Sequence, residues 1–199
     1  MEVFTPQYSH LVALAFMGMC GLPVAGVLFS FLKPALAKFS MAAVGAVAGG
    51  YLFVLLSLSL ASKDKVLEAG QIKYFCELDC HEAYSVQGMK RESNRAVVAV
   101  RAWFDPDTTG PNRGNSPLTF NDRRIELIDA QGRRYTPAPV DLRRPVRPGE
   151  SFTVDLAFPV PSDARDLRLL ITEPDHFPTQ LLLGHENSLL HKKIWFKVS

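Results

Sequence analysis

Charge is what the first 61 residues of this 199-residue chain lack. Of 42 charged side chains, 22 basic and 20 acidic, only Glu2, Lys33 and Lys38 lie there, and the other 39 fall between residues 62 and 199. The halves therefore belong to different solvents, and the near-neutral average over the whole chain, net +2, describes neither. No Lys or Arg precedes residue 33. That absence argues against a cleaved signal peptide, which needs a basic start and a short apolar core, even though Ala35-Leu36-Ala37 resembles a small-residue cleavage site. No charged residue interrupts the two long apolar runs, which excludes an ion pathway built from those runs alone. The second half has no internal repeat, no low-complexity tract and no sustained 3.6-residue apolar period with helix caps. It also has no phosphate-binding loop, no H-E-x-x-H and no marked Ser-His-Asp arrangement, so an enzyme is the minority reading, although a triad is defined by geometry rather than by spacing.

Two apolar stretches are present instead, His10 to Leu32 and Ser40 to Ala61, joined by Lys33-Pro-Ala-Leu-Ala-Lys38-Phe39. At 1.5 Å per residue, a helix of just over 20 residues covers the ~30 Å hydrocarbon core of a bilayer. The expected unit is a transmembrane α-helical hairpin within residues 1–66, followed by one exported domain over residues 67–199. Small residues are spaced along one side of each span, Gly18, Gly21 and Ala25 in the first and Gly45, Gly49 and Gly50 in the second, as close helix packing in lipid requires. Lys33 and Lys38 in the short loop mark the cytoplasmic side, against a weaker counter-signal from Lys63 and Lys65. Both termini then lie outside a cytoplasmic (inner) membrane, with the carboxy-terminal domain periplasmic or extracellular.

Beyond Leu67 the pattern changes to short alternating segments between Gly, Pro and Asp, which is strand behaviour. In Phe152-Thr-Val154-Asp-Leu156-Ala-Phe158 the large apolar side chains recur at every second position and line one face of a pleated strand. Ala83–Met89, Ala96–Phe104, Arg124–Asp129, Leu167–Thr172 and Lys193–Val198 read similarly, with a hairpin turn at Gln131-Gly132 and an exposed loop over Thr108–Pro117. The expected class is an all-β sandwich.

Three segments carry a resemblance. Arg123 to Tyr135 contains a D-x-x-G-x-x-Y hairpin, Arg147 to Pro161 runs from a Pro-Gly-Glu turn into a strand ending F-x-V-P, and Leu167 to Ile171 follows. Together they are similar to the telokin-like immunoglobulin fold of bacterial envelope proteins. Members of that family are mostly of unknown function and often tethered to the membrane. The resemblance implies an immunoglobulin-like sandwich with a binding or accessory role and supplies no catalytic residue.

The densest chemistry is Phe75-Cys76-Glu-Leu-Asp-Cys80-His81. Two thiols and an imidazole within six residues suit copper or zinc, with Met89, His176, His185 or His191 as a fourth ligand; His185 and His191 lie in the polar run Leu183 to Lys193. In an oxidising compartment the alternative is a Cys76–Cys80 disulfide, structural or redox active. In a regular strand the two cysteines share a face but lie more than ~12 Å apart, so either chemistry needs a turn or bulge between them. Two spans followed by an exported β-domain with a Cys-x3-Cys pair also resemble subunit II of haem-copper oxidases. The departures are Glu77 directly after the first cysteine, Tyr84 where that copper motif requires His, and the motif's place at the domain's start rather than late in it.

Arginines crowd Asn112 to Pro148, in excess over the nearby acids. They read as solvated strand edges that discourage edge pairing, or as an attraction for anionic lipid or an acidic partner. Nucleic acid is excluded by the compartment. The expected function is that of a membrane-anchored accessory protein whose sandwich meets a membrane-protein partner at the outer face. The alternative is copper handling or thiol redox chemistry by Cys76, Cys80, His81 and His185.

Overall fold

A computed structural model describes residues 2–6, 21, 24–26, 28, 31, 34–76, 80–110, 112, 114–175, 177 and 179–198. Helix α1 spans Pro34–Ala61. Proline at a first helical position loses no intrahelical bond and has a preset φ, and Ala35-Leu36-Ala37 are strong helix formers. The segment expected to join two spans is therefore helical from Pro34 onward. Among the described residues α1 is the one helix long and apolar enough to cross a membrane. The expected hairpin is corrected there to a single long helix. The first expected span, residues 10–32, lies largely outside the described residues; Gly21, residues 24–26, Leu28 and Phe31 are helical.

Beside α1, the described residues hold twelve strands and two short 3-10 turns, Pro106–Thr108 and Thr179–Leu181. In chain order the strands are β1 (Glu2–Pro6), β2 (Lys65–Leu67), β3 (Ile72–Cys76), β4 (Glu82–Glu92), β5 (Arg95–Phe104) and β6 (Leu118–Thr119), then β7 (Arg124–Ile128), β8 (Arg134–Tyr135), β9 (Pro145–Val146), β10 (Ser151–Pro159), β11 (Arg168–Thr172) and β12 (Ile194–Lys197). One five-stranded sheet has the order β1-β3-β4-β5-β10 and a second the order β2-β12-β11-β7-β8, with β6 and β9 forming a small pair. Their facing sides share one core. Phe75, Tyr84, Val98, Val100, Leu156 and Phe158 enter it from the first sheet, and Leu67, Leu127, Leu169, Ile171 and Phe196 from the second. The period-two reading holds best in β5, where Ala96, Val98, Val100, Ala102 and Phe104 are all buried.

β1 and β2 were not expected as strands. Each lies at an edge of its sheet and pairs in parallel, β1 with β3 (Glu2 opposite Ile72 through Pro6 opposite Cys76) and β2 with β12. The sandwich thus takes in strands on both sides of α1.

The D-x-x-G-x-x-Y hairpin has a direct physical reading. Asp129 Oδ1 accepts the backbone N–H groups of Gln131 (3.0 Å) and Arg133 (2.9 Å), and Oδ2 accepts Arg133 Nε (2.6 Å) and the Tyr135 hydroxyl (2.8 Å). Gly132 sits at φ +80°, a conformation side chains disfavour. Burial alone would raise the Asp129 carboxyl; Tyr135 and Arg133 outweigh it and bring the carboxyl down to about 2.

Candidate functional site

The main concentration of buried charge lies where β3, β7 and β11 meet the segment between β11 and β12. Lys73 occupies an inward position of β3, on the side of Phe75, and is wholly buried. Its ammonium donates to both Glu186 oxygens (2.8 and 2.7 Å) and to the Ile171 carbonyl (2.6 Å), so all three donors are used. Glu186 also accepts the Ile194 N–H at 3.0 Å. The Thr172 hydroxyl lies 3.1 Å from both Glu186 Oε2 and Asn187 Oδ1, and its single proton serves one at a time. Lys193 Nζ closes the group, donating to the Glu186 carbonyl and to Asn187 Oδ1. Burial pulls the Lys73 ammonium below the ordinary lysine range, and Glu186 opposes that pull.

A second chain of charges runs beside it. His185 Nδ1 accepts the Asn187 N–H at 2.9 Å, so the ring proton sits on Nε2 and is donated to Glu173 Oε2 at 2.8 Å. The other Glu173 oxygen lies 3.8 Å from Arg123, whose guanidinium pairs with Glu82 and stacks 4.1 Å over the Phe75 ring. Glu82 also accepts the Asn121 N–H at 3.1 Å. The side chains of Lys73, Glu186, Arg123, Glu82, His185 and Glu173 are each at least nine-tenths buried. Charges taken out of water stay stable only when paired and hydrogen-bonded, and these are. With both His185 nitrogens and all Lys73 donors engaged, the arrangement fastens the segment 173–193 to both sheets and leaves neither group free to move a proton.

Cys76 and Cys80 are joined by a disulfide, their Cα atoms 3.9 Å apart, so the chain turns back between them as either chemistry required. Residues 77–79 lie outside the described residues. The bond closes the connection between β3 and β4, whose pairing begins with Phe75 opposite Glu82. The His81 ring packs 5.0 Å from that of Phe104, and its carbonyl accepts the Asp105 N–H. A metal held by Cys76, Cys80, His81 and His185 would require reduction of the disulfide and loss of one of the two His185 ring bonds. Among the described residues no group of three or more His, Cys, Asp or Glu is placed to hold an ion. Met89 packs against the core, His191 bonds the Lys192 carbonyl, and His176 lies outside the described residues. Replacing both cysteines by serine opens a five-residue loop and lowers stability by about 2 kcal/mol on chain-entropy grounds; the shift of the urea midpoint measures it.

The arginine-rich stretch is largely neutralised within the domain. Arg124 pairs with Glu126 and Asp175, Arg133 with Asp129 and Asp163, Arg134 with Glu126 and Arg143 with Asp122, while Arg144 lies over Phe152.

The domain also holds α1. The Tyr51 hydroxyl donates to the Leu181 carbonyl, and Ser62 Oγ accepts the Lys192 N–H at 2.9 Å. Between them, on the same helix face, Leu55 and Ser59 are buried. Tyr51, Leu55 and Ser59 thus form the helix stripe that the domain shields, while an added Cβ at Gly45, Gly49 or Gly50 meets no described atom within 4 Å. Lys73, Glu82, Glu173, Tyr51 and Ser59 were not singled out from the sequence. The available signals were a lone lysine between apolar residues in Ile72-Lys73-Tyr74-Phe75 and polar residues at helical spacing within an apolar run.

A family model described as "Domain of unknown function (DUF4352)" matches residues 109–180, just over a third of the chain. The match begins beyond β5 and covers β6 through β11. Comparison with curated proteins and with solved structures finds no match.

Proposed function

We propose that this chain is a membrane-anchored accessory protein whose immunoglobulin-like sandwich meets a membrane-protein partner at the outer face of a cytoplasmic membrane. The observation that carries the reading is the seating of the domain on its own helix. Only residues 62–64 separate α1 from β2, and they are tied down: Ser62 to Lys192, and Asp64 to the Lys193 N–H (3.1 Å) and the Trp195 indole (3.3 Å). With Tyr51 and Leu181 bonded further along, α1 and the sandwich form one body. A domain held in a fixed pose presents the same surface to a neighbour in the membrane and loses little entropy on binding it.

Two further features support the outside placement. The Cys76–Cys80 disulfide suits an oxidising compartment. The pairing of Glu2–Pro6 with β3 puts that strand on the domain's side of α1.

The test is the native mass of the protein extracted from its own membrane into lipid nanodiscs without harsh detergent. The reading expects a stoichiometric second protein above the 22.1 kDa of one chain. A single chain alone in the disc would sink it.

A further inference from the structure

The segment from Phe177 to Lys192 lies beside α1 at a depth an ordinary exported domain would not reach. Tyr51 stands ten residues before Ala61, about 15 Å along the helix axis, yet its hydroxyl bonds Leu181. The remaining faces of the same helix turns are apolar and open: Leu52, Phe53, Val54, Leu58 and Leu60 are all exposed. The adjoining segment shows the same character. Phe177 is 76% exposed, Leu189 48% and Leu190 57%, whereas Leu182, His185, Glu186, Asn187 and Ser188 point inward and are buried.

The outward leucines are held there. The Leu189 N–H donates to the Gln180 carbonyl at 2.9 Å, and Leu190 sits at φ +63°, a conformation costly for a bulky side chain. Strain spent on presenting an apolar side chain to water would be lost twice; against hydrocarbon it is offset. Polar groups collect at the end of the segment, where Lys192 and Lys63 are exposed and Trp195 bonds Asp64. Aromatic and lysine side chains of this kind sit at the headgroup level of bilayers.

From this we infer that Phe177 and residues 179–190 form a platform embedded in the outer leaflet, with Leu189, Leu190 and Phe177 entering the boundary between headgroups and acyl chains beside α1. The occupant of this apolar surface is lipid, the same surroundings that the exposed apolar side chains of α1 require. The sandwich is then seated in the membrane surface rather than suspended above it. The inference rests on the reading of α1 as a membrane anchor.

The experiment uses the full chain in nanodiscs of phosphatidylcholine and phosphatidylglycerol. Nitroxide labels are placed singly by Leu190→Cys, Leu189→Cys, Leu52→Cys and Gln131→Cys in a Cys20→Ala background, with Cys76 and Cys80 left oxidised. Collision with oxygen, which concentrates in lipid, is compared with collision with a water-soluble nickel chelate. At positions 189 and 190 oxygen exceeds the chelate several-fold, as at position 52, while position 131 shows the reverse. If 189 and 190 behave like 131 while 52 stays lipid-exposed, the platform is overturned and the anchor stands. If position 52 also meets the chelate, the anchor reading itself fails. Low collision with both probes at 189 and 190 would mean that protein covers them, and it also overturns the platform. Because the two leucines are labelled separately and circular dichroism is matched to the parent, a local folding fault at one cannot imitate the result at both.

Discussion

Glu186→Ala destabilises the sandwich by about 3–5 kcal/mol, because it leaves the Lys73 ammonium buried without its counter-charge. Lys73 is wholly enclosed, and two of its three donors point at Glu186. The same substitution strips the Ile194 N–H of its acceptor and so loosens the start of β12. Urea unfolding in detergent micelles, followed by Trp103 and Trp195 fluorescence, reads the loss. Substituting both partners, Lys73→Met with Glu186→Leu, recovers most of it, since a buried pair exchanged for apolar groups of similar size is often neutral. A double variant as unstable as Glu186→Ala would show that the carboxylate acts through the backbone bonds rather than through the lysine.

Arg123→Met has an effect of the same size, about 3–5 kcal/mol, by uncovering two carboxylates at once. Glu82 loses its ion pair and Glu173 its nearest cation, both inside the domain. Arg123→Lys is a poor rescue, because a lysine cannot reproduce the planar stack on Phe75. Stability retained in Arg123→Met would show that neither carboxylate depends on the guanidinium.

The parts of this architecture legible in the sequence are those whose cause is local. β5 and β10 announce themselves because a half-buried strand needs only alternation, and the Asp129 hairpin because aspartate, glycine and tyrosine each have a turn-specific task. β3 was hidden by Lys73, since a lysine at an inward position reads as solvent-facing until its partner, 113 residues further on, is known. β1 was hidden for a related reason: five residues ending in proline carry no period of their own, and their ladder is supplied from across α1. Pro34 was read as part of the connection between two spans, although proline is equally suited to begin a helix. In the polar run Leu183 to Lys193, His185 read as a metal ligand, and the partner of Glu186 lay out of sight in a distant strand. Their task, balancing Lys73 and Glu173, is set by strands distant in the chain.

The parallel pairing of Glu2–Pro6 with β3 makes the sandwich a poor candidate for excision. A fragment begun after α1 lacks β1, and β3 then becomes the rim of its sheet with unpaired backbone groups available to a second copy. β3 is also the strand that carries Lys73 and ends at Cys76. Its edge stays open through synthesis until α1 has been placed and Glu2–Pro6 brought round, the kind of long-range closure that slows folding. Placement of α1 and completion of the sheet are thus one event for this chain, and an extension fused at Glu2 bears directly on the sheet.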